Sequence, residues 1–204
     1  MIDLLVATTN AGKLAEVRAF LQNLPLNIVS LEDLLTWPKV IEDGRSFEEN
    51  AIKKARMLSE YSGYYTLADD SGLEVDALNG APGIYSARYG GTEGDDNKNN
   101  QKLLEQMKSV PQENRGARFV CALALCAPHG DGEWITRAVC EGTIAFECRG
   151  ENGFGYDPLF FYPPLDKTFG EIDRETKAQV SHRGKALKKL ADALPGYLSA
   201  AAKP

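Results

Sequence analysis

A mixed α/β fold is predicted by three features of the sequence. Short apolar segments alternate with stretches of helical apolar spacing through the first half. Two long extended apolar stretches follow near residues 117–127 and 134–146, and an amphipathic helical pattern closes the chain.

Taken in order, Ile2 to Ala7 reads as a buried strand. Asn10-Ala11-Gly12 then turns the chain into a helix at about 13–24, where Leu14, Val17, Leu21 and Leu24 recur on one face. A short strand is expected around 26–31. The next helix starts at Ser46, because Ser46 and Glu49 have capping-box spacing and can satisfy each other's free amides, with Phe47, Ala51, Ala55 and Leu58 facing the core. Tyr65 to Ala68 reads as a strand, Asp69-Asp70-Ser71-Gly72 as an acidic bend, and Leu73 to Leu78 as a second extended segment. Residues 95–108 form a helical pattern with Leu103, Leu104 and Met107 on its apolar side. The two later strands are expected to pair antiparallel across Pro128-His129-Gly130-Asp131-Gly132, as a sheet extension. Val180, Leu187, Leu190 and Leu194 mark the last helix, with Gly196 as its stop.

With 204 residues, 43% of them hydrophobic, the chain supports one substantial core, or one domain split into two lobes around a cleft. The longest apolar run, residues 117–127, is too short to span a bilayer and contains Arg118. The N-terminus lacks the basic region of a secretion signal, so the cytoplasm is the expected location and no membrane partner is expected. Cysteines 121, 126, 140 and 148 include no CxxC pair, which favours reduced thiols. Cys121, among Phe119, Leu123 and Leu125, reads as packing rather than catalysis. A formal charge of −6 argues against a long nucleic-acid groove, though a nucleotide needs only a few local cations.

Four places carry candidate chemistry. Residues 8–13, Thr8, Thr9, Asn10, Ala11, Gly12 and Lys13, set free helix-start amides and one mobile cation at a strand end, which suits a phosphate. The spacing is not that of a Walker A loop, and a plain strand-turn-helix reads equally well. Asp69 and Asp70 would bring adjacent carboxylates to a sheet edge, with Glu42 in a loop able to approach. Hard oxygen ligands of this kind suit Mg²⁺ when phosphates complete its shell, while solvated acidic turns are the alternative. Lys54 lies one turn beyond Asn50 on one helix face, so both can approach a polyphosphate, with an exposed helical lysine as the commoner alternative. At 150–158, permissive glycines surround Phe154, Gly155, Tyr156 and Asp157, giving either a ligand-shaping loop, with Phe154 stacking and Asp157 accepting, or a tight turn with buried aromatics. Lys177, His182 and Arg183 collect near the last helix start, where Ser181 can cap. Lys177 suits phosphate, Arg183 offers a directional fork, and His182 reads as capping or packing.

Together these stretches resemble one family. ThrThrAsnAlaGlyLys at 8–13, PheGluGluAsnAlaIleLysLysAla at 47–55, AlaAspAspSerGlyLeu at 68–73 and GlyAlaProGlyIleTyrSerAlaArgTyr at 80–89 carry the resemblance. GlyPheGlyTyrAspPro at 153–158 and SerHisArgGly at 181–184 complete it. The chain resembles the Ham1-like inosine triphosphate pyrophosphatases over nearly its whole length, with Thr9 where bacterial relatives commonly have glycine. The resemblance implies a single domain over 1–204, an elongated mixed sheet with flanking helices and two lobes around a nucleotide cleft. It implies Mg²⁺-dependent hydrolysis of non-canonical purine nucleoside triphosphates (ITP, dITP and XTP) to the monophosphate and pyrophosphate by a cytoplasmic homodimer. By the same resemblance, Asp70 is proton acceptor and metal ligand and Glu42 a second metal ligand. Thr8, Asn10, Lys13, Lys54 and Lys177 face the phosphates, Ser71 lies in the nucleotide site, and Phe154, Gly155, Tyr156, Asp157, His182 and Arg183 line the base side.

Overall fold

The computed structural model describes residues 2–128 and 132–201. Seven strands form a sheet in the order β2-β1-β3-β4-β5-β6-β7. The strands are β1 (Ile2–Ala7), β2 (Leu26–Ser30), β3 (Tyr65–Val75), β4 (Gly116–Cys126), β5 (Glu133–Ile144), β6 (Phe160–Tyr162) and β7 (Lys167–Thr168). The helices are α1 (Ala11–Leu21), α2 (Phe47–Ser62), α3 (Asp96–Gln106), α4 (Arg174–Val180) and α5 (His182–Ala201). β1 runs parallel to both β2 and β3, whereas β5, β6 and β7 pair antiparallel. The α/β expectation therefore holds. Among the described residues no helix is long and apolar enough to cross a membrane.

The chain forms two compact units. The first comprises Met1–Asp70, Cys121–Ala138 and Arg183–Pro204; the second comprises Ser71–Val120 and Val139–His182. The first has a core of Leu4, Val6, Val17, Leu21, Leu67, Leu123, Leu187 and Leu190, each at most 2% exposed. Full burial of such a side chain contributes about 1.5–3 kcal/mol. The second is aromatic: Phe119, Phe160 and Phe169 pack with ring centroids 4.5–5.9 Å apart, and Leu73, Leu103, Met107 and Ile144 close around them.

Four local expectations change. Asp69 to Gly72 make no bend, because β3 runs unbroken from Tyr65 to Val75 and both carboxylates are buried within it. Turn propensity yields here to a strand whose charges find partners. At α2, Ser46 Oγ accepts the Glu49 N–H as expected, but Glu49 Oε2 accepts from Arg45 N–H, one residue ahead of the cap. Val180 belongs to α4 rather than to the last helix. Gly196 does not stop α5, which continues through Pro195 to Ala201. Beyond Gly196, Tyr197 and Leu198 pack on the first core, and the Tyr197 hydroxyl bonds to the Leu125 and Gly132 carbonyls, so tertiary contacts override the breaker residues. β4 and β5 are sheet neighbours as expected. The connecting stretch His129-Gly130-Asp131 lies outside the described residues.

Candidate active site

The parallel register of β1 and β3 sets Ala7 opposite Ala68, so the loop from Thr8 leaves the sheet where Asp69 and Asp70 follow. Thr8 Oγ1 accepts the Asn10 N–H at 3.1 Å, and Asn10 Oδ1 caps α1 by accepting the Lys13 N–H at 2.9 Å. Thr9, Asn10 and Ala11 are exposed and Gly12 and Lys13 half-buried, so this helix start is open to an anion.

Side chains alternate across a strand, so Asp69 and Asp70 point to opposite faces of β3. Asp69 is wholly occupied by the protein. Its Oδ1 accepts from Lys13 Nζ at 2.6 Å, and its Oδ2 accepts from Arg183 Nε at 2.7 Å and Cys121 Sγ at 3.3 Å. Burial would raise this carboxyl, but Arg183 and Lys13 together hold it well below the usual range. Arg183, 2% exposed, is also held by Glu16, its NH1 lying 2.5 Å from Oε2. Burial and the neighbouring Asp69 charge push the Cys121 thiol well up, which fits its expected role in packing.

Asp70 meets a different set. Its Oδ2 accepts from Asn50 Nδ2 at 3.0 Å, and Asn50 Oδ1 accepts the Gly44 N–H at 2.8 Å. The approach at Gly44 requires glycine, since a Cβ there would lie 2.6 Å from Asn50 Oδ1. This contact ties the Glu42 loop to α2. Lys54 pairs with Glu42 and reaches the Asp69 carbonyl at 3.2 Å. Burial pushes the Asp70 carboxyl up, Lys13 and Lys54 oppose that rise, and Glu42 adds to it. Two carboxylates that feel each other's charge beside two lysines fit a Mg²⁺ site, since that ion takes oxygen ligands and leaves positions for water and phosphate. Among the described residues no group of three or more His, Cys, Asp or Glu could hold a metal ion.

In the second unit, Ser71 follows Asp70 in β3 and is half-buried. The turn at 153–157 closes on Asp157, whose Oδ2 accepts the Phe154 N–H at 2.8 Å and pairs with Lys177 Nζ at 2.6 Å. A Cβ at Gly153, where φ is +78°, would come within 2.0 Å of that carboxylate, so only glycine permits the turn. The Lys177 ammonium also sits 4.6 Å from the Phe154 ring centroid. Tyr156 is buried and donates its hydroxyl to the Ser86 carbonyl at 2.8 Å. His182 stacks on Phe119 at 4.6 Å between centroids, the packing alternative for this residue.

The structure thus gathers Lys13, Glu42, Lys54, Asp70 and Arg183 in the first unit, and Phe154, Gly155, Tyr156, Asp157, Lys177 and His182 in the second. Lys177, expected among the phosphate ligands, is held on Asp157. Arg183, expected on the base side, is held by Asp69 and Glu16. Sequence reasoning passed over Glu16 and placed Asn50 against phosphate rather than against Asp70. Glu16 stands one helical turn from Lys13, a spacing that could have marked it.

Comparison with known proteins places the chain in a family. The Ham1 family profile matches residues 4–193. A protein of Exiguobacterium sibiricum named dITP/XTP pyrophosphatase is 50% identical over 197 residues, covering 97% of this chain and 99% of that protein. A Geobacter sulfurreducens protein of the same name is 50% identical over 194 residues, covering 95% and 97%. The solved structure of a HAM1 protein from Coxiella burnetii matches with a TM-score of 0.87 at 40% identity, covering 96% of this chain and 100% of that one. With the motifs, the family profile and the near full-length similarity in agreement, the chain belongs to the Ham1 family.

Proposed function

We propose that the protein hydrolyses ITP, dITP and XTP to the nucleoside monophosphate and pyrophosphate in a Mg²⁺-dependent reaction. The observation that carries this reading is Asp70: a buried carboxylate fixed by Asn50, raised by burial, and within the electrostatic reach of Glu42, Lys54 and Lys13. The near full-length relatives named dITP/XTP pyrophosphatase support the choice of substrate.

Asp70 and Glu42 are the groups that would hold the metal. When bound, Mg²⁺ polarises phosphate oxygens and acidifies water. Asp70 accepts the proton of the water aimed at the α-phosphorus. Lys13, Lys54 and the exposed start of α1 neutralise and orient the triphosphate, while Arg183 supports Lys13 through Asp69. Phe154 supplies a stacking face, Gly155, Tyr156 and the Asp157–Lys177 pair a fixed polar edge, and His182 packs behind them. Hypoxanthine and xanthine present a C6 carbonyl and an N1 donor where adenine presents an amino group and an acceptor, so a fixed edge mismatches adenine twice. An unpaired polar group costs about 1–3 kcal/mol, which gives roughly 10-fold to 100-fold discrimination.

Incubation with ITP and Mg²⁺ is expected to yield IMP and pyrophosphate in equal amounts by chromatography, with ATP used at least about tenfold less efficiently in kcat/KM. IDP with inorganic phosphate would defeat cleavage at the α-phosphorus. Equal kcat/KM for ITP and ATP would defeat the base selectivity, and turnover in chelator would defeat the metal requirement.

We further infer that residues 1–204 work as one catalytic domain in a cytoplasmic homodimer without a stable nucleic-acid partner. Tyr85, 57% exposed on the Gly83–Arg88 turn, supports the subunit contact, and the charge of −6 the last point. Sedimentation equilibrium at micromolar concentration is expected to return twice the chain mass; monomer alone would overturn the dimer.

A further inference from the structure

At the start of α3, the side chains of Asp95, Asp96, Asn99 and Asn100 each bond to backbone. Asp95 caps the helix by accepting the Lys98 N–H at 3.0 Å. Asn99 accepts the Gly90 N–H at 2.6 Å and donates to the Ala87 carbonyl at 3.3 Å. The other two meet a single residue. Asp96 Oδ2 accepts the Gly155 N–H at 2.6 Å, and Asn100 Nδ2 donates to the Gly155 carbonyl at 2.9 Å.

Both polar groups of Gly155 are thus held by side chains one helical turn apart on one face of α3. Gly155 stands at φ +63°, in the left-handed region, so its peptide orientation has to be held rather than left to preference. Asn100 is 7% exposed and its Oδ1 has no hydrogen-bond partner. Turning the amide over would set Oδ1 against the Gly155 carbonyl, so the donor direction is fixed. The far end of the helix is fixed too. Arg115, 1% exposed, donates to the carbonyls of Met107 and Val110 just past α3, and to those of Ile144 and Ala145 at the end of β5. Within the turn, Asp157 and Lys177 hold Phe154, while Asp96 and Asn100 hold the residue between Phe154 and the buried Tyr156.

We propose that Asp96 and Asn100 are positioning residues for base selection: together they fix the Gly155 peptide and so set the Phe154 ring against the purine. The inference rests on the reading of Phe154 to Asp157 as the base side. Neither residue touches the substrate; both act through Gly155.

The test measures kcat and KM for ITP and ATP in Asp96→Ala, Asp96→Asn, Asn100→Asp and Phe154→Ala, with thermal melting of each. Asp96 is exposed, so Asp96→Ala is expected to fold even where Asn100→Asp loses stability. Asp96→Ala and Asn100→Asp, the latter setting an acceptor against a carbonyl, are expected to raise KM for ITP by roughly tenfold with kcat within about twofold, and to narrow the ITP preference over ATP. Asp96→Asn keeps an acceptor for the Gly155 N–H and is expected to restore the wild-type preference. An unchanged ITP to ATP ratio in folded Asp96→Ala, or Asp96→Asn as impaired as Asp96→Ala, would overturn the proposal. Phe154→Ala separates the two levels: if it too leaves the ratio unchanged, the base-side reading fails, whereas a shifted ratio there beside unmoved α3 variants sinks the positioning role alone.

Discussion

Asp70→Asn is expected to lower kcat by roughly 100-fold or more at saturating Mg²⁺ while leaving the fold intact. The amide occupies the same volume, and its oxygen can still accept from Asn50 Nδ2, so the tie between β3 and α2 survives. What disappears is the charge. Without it the residue neither takes a proton from water nor serves as an anionic oxygen ligand beside Glu42. Because burial disfavours the ionised form at this position, removing the charge should not reduce the melting temperature. A kcat near wild type in the same assay would exclude Asp70 from the chemistry.

Asp69→Asn is expected to act chiefly on stability. Asp69 is the common anion of Lys13 and Arg183 and is 4% exposed, so its loss strands buried positive charge. Breaking a buried pair of this kind costs about 3–5 kcal/mol. For a chain of this size that corresponds to a fall of about 6–20 °C in melting temperature. The acid limb should change as well. The folded pKa of Asp69 lies well below the usual value of about 4, so between the two values the unfolded state binds more protons and stability rises with pH. The contribution is complete above about pH 4 and is lost as pH falls towards the folded value. Between about pH 5 and 3 the wild-type melting temperature should therefore fall more steeply than that of Asp69→Asn. Parallel curves would show that Asp69 is not the ionised centre of this network.

Much of the site was legible because its parts are local. Ser46 marks the start of α2, Asn10 that of α1, and the glycines around Phe154 mark a turn that closes on Asp157. Pairings between distant segments were not legible. Lys177 and Arg183 are six residues apart, yet one is held by Asp157 and the other by Asp69 and Glu16. Residue type and the family resemblance point to phosphate or base ligands but name neither carboxylate partner. The acidic stretch shows a second limit. Asp-Asp-Ser-Gly has the composition of a turn, and only countercharges supplied by α1, α2 and α5 make it tolerable inside a strand. Once the strand is seen to be continuous, its period of two assigns the carboxylates to opposite faces and hence to different tasks. Gly196 reads as a helix end by the same local logic and is overridden by Tyr197, whose hydroxyl partners lie 65 and 72 residues away.

The order in which the chain is made gives the Asp69 network a schedule. Lys13 precedes Asp69 by 56 residues, whereas Arg183 follows it by 114 and lies 167 beyond Glu16. During synthesis Asp69 can acquire its lysine early, but its arginine emerges only with the final helix, which also brings Leu187, Leu190 and Leu194 to the first core. Until then an acidic strand destined for the interior lacks both its second countercharge and one wall of its packing. Neutralising this carboxylate and closing the apolar core therefore fall to the same stretch of chain, so a nascent polypeptide has little reason to fix the Asp69 strand before α5 has been translated.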